Sequence, residues 1–284
     1  MSVGLEDLDL LLVEDCVWVL SAQIDLPSYD FALDQFFACR RPWHRPEQIT
    51  AIARFGAIDD YDTVCANLAA EGIDLIHDPV QHRLASELPA WYSRLEGLTP
   101  VSHWFDTAPS LETLEQRIKL PVFIKGARQT SRHRAALSIA RTAEDYERAS
   151  SAFRADPILS WQMFVARELV ALRPVALEAS DKVPASFEFR TFWWRSQLVG
   201  AGQYWATTYN WTALERLEAL RVAGEAATRL ALPFVVIDVA QTASGAWIVI
   251  ECNDAQESGY AAISPFALWQ NIISVEQALS RNSV

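Results

Sequence analysis

The strongest constraint on the fold of this chain lies near its C-terminal end. Phe234-Val-Val-Ile-Asp238-Val-Ala240 and Trp247-Ile-Val-Ile-Glu251-Cys-Asn253-Asp254 flank a turn through Ser244-Gly245. Two apolar runs joined by a short Ser/Gly turn predict antiparallel strands with core on both sides. Each run nevertheless carries an acid where a buried strand favours an aliphatic. Glu251 and Asn253 are two apart, so on a strand of period two both side chains leave the same face, and Asp238 on the partner strand has access to it. Three oxygen donors on a two-stranded floor suit magnesium, which takes hard oxygens and leaves room for waters and substrate phosphates. A solvated sheet face is the other reading, adequate for one acid and less so for three embedded in Val/Ile runs.

The 284 residues suffice for one large or two ordinary domains, and 51% hydrophobic content is ample for a packed core. A formal net charge of -12 argues against nucleic acid as a partner, because such binding needs Lys/Arg to neutralise phosphates. A protein this acidic that binds a nucleotide must gather its few cations locally. Cys16, Cys39, Cys65 and Cys252 form no CxxC pair and no pattern with histidines, so neither a zinc site nor a disulfide framework is supported. Residues 1–15 are acidic where a signal peptide is basic, and no apolar run reaches membrane-spanning length. The expectation is a cytoplasmic protein without a membrane partner.

The first third alternates apolar runs with helical stretches, at residues 16–20, 31–39, 61–70 and 73–76. This predicts a small α/β unit with parallel strands over residues 1–97, and the lack of GxGxxG disfavours a dinucleotide fold. From residue 98 to 284 the texture is α+β. Longer strand runs cover 121–125, 159–165, 168–172, 187–194, 198–204 and the hairpin, interrupted by a single long helix. Thr212 followed by Glu215 is a capping-box pattern, and Leu214, Leu217, Leu220, Ala223, Ala227 and Leu230 keep an apolar stripe until Pro233.

Several residues in this second region have the chemistry of a nucleotide site. Pro121-Val-Phe-Ile-Lys125-Gly126 ends a strand with a lysine beside a glycine, which delivers a point charge to a phosphate; a plain surface lysine is the simpler alternative. Trp161-Gln-Met-Phe-Val165, followed by Arg167-Glu168-Leu-Val, offers an extended connector whose backbone groups suit an adenine edge. Glu168 then begins the next strand, where a carboxylate accepts from ribose hydroxyls. Gln162 and Glu168 are equally well explained as strand-edge polar residues. Arg190 stands inside the aromatic strand Glu188-Phe-Arg190-Thr-Phe-Trp-Trp194, where a guanidinium needs an anionic partner.

The order PVFIK, QMFV, RELVAL, FEFRTFWW, VIDV and VIECND resembles the ATP-grasp superfamily, the fold of D-alanine:D-alanine ligase and the ribosomal-protein glutamylating ligases, over residues 100–266. The closing E-x-N-D-x-x-x-S-G, Glu251 to Gly259, looks most like a small ATP-grasp clade found mainly in bacteria and phages. The resemblance implies an ATP-grasp fold, two α+β subdomains clasping ATP, preceded by a pre-ATP-grasp α/β domain. It implies that Lys125 contacts the α/β-phosphates, that Gln162, Met163, Phe164 and Val165 form the adenine hinge, and that Glu168 holds the ribose. Phe123 and Ile250 would line the adenine slot. Asp238, Glu251 and Asn253 would hold magnesium, with Glu251 able to bridge two ions, and Arg190 would sit near the γ-phosphate and the incoming acyl group.

One departure from the family matters. Many relatives carry an Asp-Lys pair where this chain has Ser86-Glu-Leu-Pro-Ala-Trp-Tyr92, so one phosphate contact is missing or comes from Arg94 or Lys119. The stretch 126–134, with Arg128, Arg132 and Arg134, lies where relatives have a flexible lid over the triphosphate; a solvated basic turn is the alternative. The resemblance implies a ligase in which a small-molecule or peptide carboxylate attacks ATP and an amine displaces phosphate from the acylphosphate. A phosphotransferase on the same scaffold, or a nucleotide-binding module without turnover, stays open. Trp193, Trp194, Trp205 and Trp211 are placed to stack on an acceptor, or else are core filler.

Overall fold

A computed structural model describes residues 8–22, 31–41, 44–54, 58, 60–128, 135–175, 183–206 and 209–282. The first sheet comprises β1 (Leu8–Val13), β2 (Val17–Ala22), β3 (Cys39–Arg40), β4 (Ile49–Ala53) and β5 (Ile73–Leu75), in the order β3-β1-β2-β4-β5. Helix α1 (Tyr61–Ala70) links β4 to β5, and these two run parallel with β2 as expected. β1 does not: it pairs antiparallel with β2 on one side and with β3 on the other. Only residues 14–16 separate β1 from β2, with Glu14 and Asp15 both left-handed, and a parallel pair needs a far longer crossover. The predicted helical stretch at 31–39 yields only a 3-10 turn at Leu33–Gln35, because its aromatic residues are anchored individually: Phe31 stacks on Phe36 and Phe37 on Phe266.

Helices α2 (Pro79–Ser86), capped by Asp78 with a reciprocal contact from Gln81, and α3 (Leu88–Trp91) lead to the second sheet. Its strands are β6 (Ser102–Phe105), β7 (Val122–Gly126), β8 (Ile139–Ala140) and β9 (Phe164–Glu168), in the order β6-β9-β7-β8 and antiparallel throughout. Around it lie α4 (Leu111–Glu115), α5 (Ala135–Ser138) and α6 (Ala143–Ala155). No clear periodicity announces α6 because its buried face is sparse, only Tyr146, Ala149, Ser150 and Phe153 among charged residues. Where strands were expected at 159–165 and 168–172 a single shorter one forms, β9, over 164–168.

The third sheet holds β10 (Glu188–Trp194), β11 (Gln197–Gln203), β12 (Phe234–Gln241) and β13 (Trp247–Asp254), in the order β11-β10-β12-β13. The expected helix forms as α7 (Ala213–Leu230), with Thr212 and Glu215 in a capping box, and α8 (Pro265–Asn282) follows the hairpin. Gly245, at φ +92°, takes the left-handed conformation the β12–β13 turn requires. The sheet is buried on both faces. Ile237, Val239 and Val249 pack with α7 and with Leu88 and Trp91; Phe192, Trp194 and Val236 pack with α8 and with Leu11, Val13 and Val19 of the first sheet. Residues before 98 thus share core with the third sheet. Among the described residues no helix is long and apolar enough to cross a membrane.

Candidate functional site

A cavity of about 420 Å³ lies between the second and third sheets. Its walls are largely apolar, including Phe123, Ile139, Leu169, Val170, Ile248 and Ile250, and its charged groups are Lys125, Arg141, Arg167, Glu168, Glu188 and Glu251. The β12–β13 register explains how an edge strand delivers two neighbouring residues to it. Asp238 opposes Glu251 but Val239 opposes Val249, leaving Ile250 as the extra residue of a bulge. A bulge of this kind re-aims side chains, and here Ile250 and Glu251 both line the cavity. Val236 opposes Asn253, so Asp238, Glu251 and Asn253 share one face as the spacing predicts.

The acids are matched by cations. Lys125, 3% exposed, reaches across from β7 to bond Glu251. Burial acts to raise the Glu251 carboxyl, but the Lys125 ammonium, with Arg190 and Arg167 behind it, outweighs burial and holds it below the ordinary carboxylate range. Arg190 and Asp238 are cross-strand partners joined by two hydrogen bonds, Nε to Oδ1 at 2.9 Å and Nη2 to Oδ2 at 2.8 Å. Arg190 also donates to the Gly259 carbonyl at 3.0 Å and lies 5.0 Å from the centre of the Tyr204 ring. For Asp238 burial wins, and its carboxyl is raised despite the arginine. Among the described residues no three His, Cys, Asp or Glu side chains converge as a metal cage. The buried Asn253 amide nitrogen has no hydrogen-bond partner among them.

Phe123, Lys125, Glu168 and Ile250 line the cavity, whereas the expected hinge at Gln162, Met163, Phe164 and Val165 does not. β9 is an inner strand, so the Phe164 and Val165 backbones are taken up by β6 on one side and β7 on the other. The Met163 carbonyl accepts from Ala127, and the Gln162 side chain accepts from the Arg128 backbone at 2.9 Å and donates to the Ile158 carbonyl at 2.7 Å. The cavity wall continues instead through Glu168, which ends β9 rather than opening a strand, into residues 169–172. Arg128 points away, to His82 Nε2 at 2.7 Å. Arg132 and Arg134 lie outside the described residues. Neither substitute for the missing lysine faces the cavity: Arg94 bonds the Leu230 carbonyl, and Lys119 sits at the surface beside Glu115. Of the four tryptophans only Trp205 lines it; Trp193 and Trp194 are core, and Trp211 stacks on Phe189.

Two buried charged residues of the cavity were not singled out from the sequence as site residues. Glu188 is 5% exposed and accepts from Ser186 Oγ at 2.9 Å and Trp205 Nε1 at 3.1 Å; burial, reinforced by Asp238, pushes its carboxyl up to about 8. Arg167 donates to Ser102 Oγ, to Thr99 Oγ1 and to the Ile250 carbonyl at the bulge, and burial brings it down to about 10. The available signal was a charge inside an apolar strand run, the signal that identified Arg190.

The chain superposes on a RimK-domain ATP-grasp protein from Sphaerobacter thermophilus with TM-score 0.55 at 14% identity, over 80% of this chain and 81% of that one. It also superposes on D-alanine–D-alanine ligase from Bacillus anthracis (0.56, 12%, 81% and 79%) and on the VanG D-Ala:D-Ser ligase from Enterococcus faecalis (0.57, 13%, 85% and 76%). At such identities the likeness is one of fold. Residues 103–272, well over half of the chain, match the family model for the ATP-grasp domain of the R-two-K clade, family 3, and the chain belongs to that family. Among curated protein sequences, none matches.

Proposed function

We propose that this protein is an ATP-dependent ligase that joins a carboxylate to an amine through an acylphosphate, releasing ADP and phosphate. The observation that carries the reading is the meeting of Lys125 with Glu251 across the cavity, beside the Arg190–Asp238 pair: two cations and two carboxylates converge at a largely apolar slot. In this reading residues 1–97 form the pre-ATP-grasp domain and 98–284 the ATP-grasp domain. Phe123 and Ile250 enclose adenine, residues 169–170 take the place of the expected hinge because they lie outside every strand and bridge, and Glu168 and Glu188 accept from the ribose. Lys125 serves the α/β-phosphates, its three N–H donors allowing Glu251 and phosphate to be bonded together.

Magnesium fits the acidic end. Asp238, Glu251 and Asn253 would hold it: they offer hard oxygens, and Lys125 keeps Glu251 ionised. Bound there, it supplies charge neutralisation at the phosphoryl group. The substrate carboxylate oxygen attacks the γ-phosphorus as the bond to the β–γ bridging oxygen breaks, giving ADP and an acylphosphate. The amine then adds to the acyl carbon, phosphate leaves, and the nitrogen loses a proton. Arg190 neutralises charge that develops in both steps, and no side-chain nucleophile is required.

The test is product analysis with ATP, magnesium and pools of amino acids and peptides, with hydroxylamine substituted for the amine. ADP release with an acyl hydroxamate is expected. A stable phosphorylated product without hydroxamate would make the protein a phosphotransferase, and no ADP from any pool would leave a nucleotide-binding module.

A further inference from the structure

Outside the cavity, a buried polar bridge has no part in the chemistry above. His82, on α2, stacks on Tyr61 with ring centres 3.8 Å apart. Its Nδ1 lies 2.9 Å from Asp254 Oδ2 and its Nε2 2.7 Å from Arg128 Nη2. A guanidinium only donates, so Nε2 accepts, the ring hydrogen resides on Nδ1, and Nδ1–H donates to Asp254. The same logic fixes His77, whose Nε2 accepts from the Phe234 backbone at 3.3 Å while Nδ1 donates to the same Asp254 oxygen at 2.9 Å. Beside them Arg54 donates to the carbonyls of Ala255, Gln256 and Ser258 at 2.6, 3.0 and 3.0 Å. The N-terminal region therefore moulds the chain that leaves β13.

The placement of the two His82 partners gives the bridge its meaning. Asp254 ends β13, directly after Asn253 and three residues after Glu251; Arg128 follows β7, three residues after Lys125. One imidazole thus ties together the exits of the two strands whose side chains meet as Lys125–Glu251. We propose that His82 is a positioning residue, a strut that sets the separation of the two sheets at the charged end of the cavity. Its donor arm fixes the chain after Asn253 and its acceptor arm fixes the chain after Lys125, so both arms act together.

The consequence for turnover rests on the ligase reading; the proton position does not. Long-range ¹⁵N–¹H spectra of the full chain, labelled at histidine, should show His82 with hydrogen on Nδ1 alone. A ring carrying hydrogen on Nε2, with or without Nδ1, overturns the proposal whatever reaction the protein runs. Three variants separate the arms. His82→Asn keeps a donor near the Nδ1 position and loses the acceptor, His82→Gln keeps an acceptor near Nε2 and loses the donor, and His82→Phe keeps the stack on Tyr61 but loses both. Because small misplacements of reacting groups cost up to roughly 10²-fold, His82→Phe should lower kcat by about that factor and the single-arm variants by about 10-fold, with KM for ATP changed less than about threefold. Wild-type turnover in His82→Phe, or a rise in KM at unchanged kcat in the single-arm variants, assigns the ring to packing and overturns the strut.

Discussion

Two ion pairs meet at the charged end of the cavity and are built in opposite ways. Arg190 and Asp238 are neighbours within one sheet, fixed by β10–β12 register, with Asp238 1% exposed. Lys125 and Glu251 come from different sheets and meet only when those sheets lie against each other, with Glu251 partly exposed. Titration follows the same division: burial raises Asp238, whereas cations converging from both sheets outweigh burial at Glu251 and lower it. The pair within the sheet is part of the floor. The pair between sheets is accessible from the cavity, because its ammonium and its carboxylate both face it, and in the proposed ligase it is the pair that meets phosphate and metal.

Substitutions at these positions test the division. Replacing Glu251 by Gln should have the largest effect on turnover, lowering ADP release by at least about 10³-fold because a preorganised charge at the phosphoryl group is lost. Wild-type turnover there would remove the inter-sheet pair from the chemistry. Asp238→Asn should act on the fold as well as on turnover, since Arg190 is left buried without its counter-charge; the expected stability cost is about 3–5 kcal/mol, read from the urea midpoint. A loss no greater than that of Glu251→Gln would erase the contrast.

Glu188 tests burial without a cationic partner. Its carboxyl ionises near 4.5 when unfolded and near 8 in the fold, so stability present below pH 4.5 is lost as pH rises toward 8. Gln in its place retains an acceptor for Ser186 and Trp205 and escapes that loss. Glu188→Gln should match the parent near pH 4.5 and exceed it by roughly 3 kcal/mol near pH 7, at about 1.4 kcal/mol per unit of separation. An advantage that shrinks with rising pH would contradict this account. The smallest effect belongs to Arg94→Ala and Lys119→Ala: neither faces the cavity, so the thermal shift produced by ATP with magnesium should stay within about 1 °C of the parent's.

The hairpin, α7 and the strand ending at Lys125 were legible because each depends on local periodicity and turn chemistry. Alternation put Glu251 and Asn253 on one face, and the capping box marked where α7 begins. That residues 162–165 stand outside the cavity was not legible, because sequence does not reveal how many neighbours a strand has, and the backbone of an inner strand such as β9 is taken up on both sides. The tryptophans were ambiguous for a related reason, since core and stacking surface have the same composition.

By itself, then, the sequence determined which side chains leave each strand together, because a period of two is a property of the backbone. Only tertiary structure decided which strands face one another. The reach of Lys125 to Glu251 beside the bulge at Ile250, and the contacts of His82 with Asp254 and with Arg128, join residues 126, 172 and 46 positions apart. Such contacts follow from how sheets pack, and local spacing carries no record of that packing.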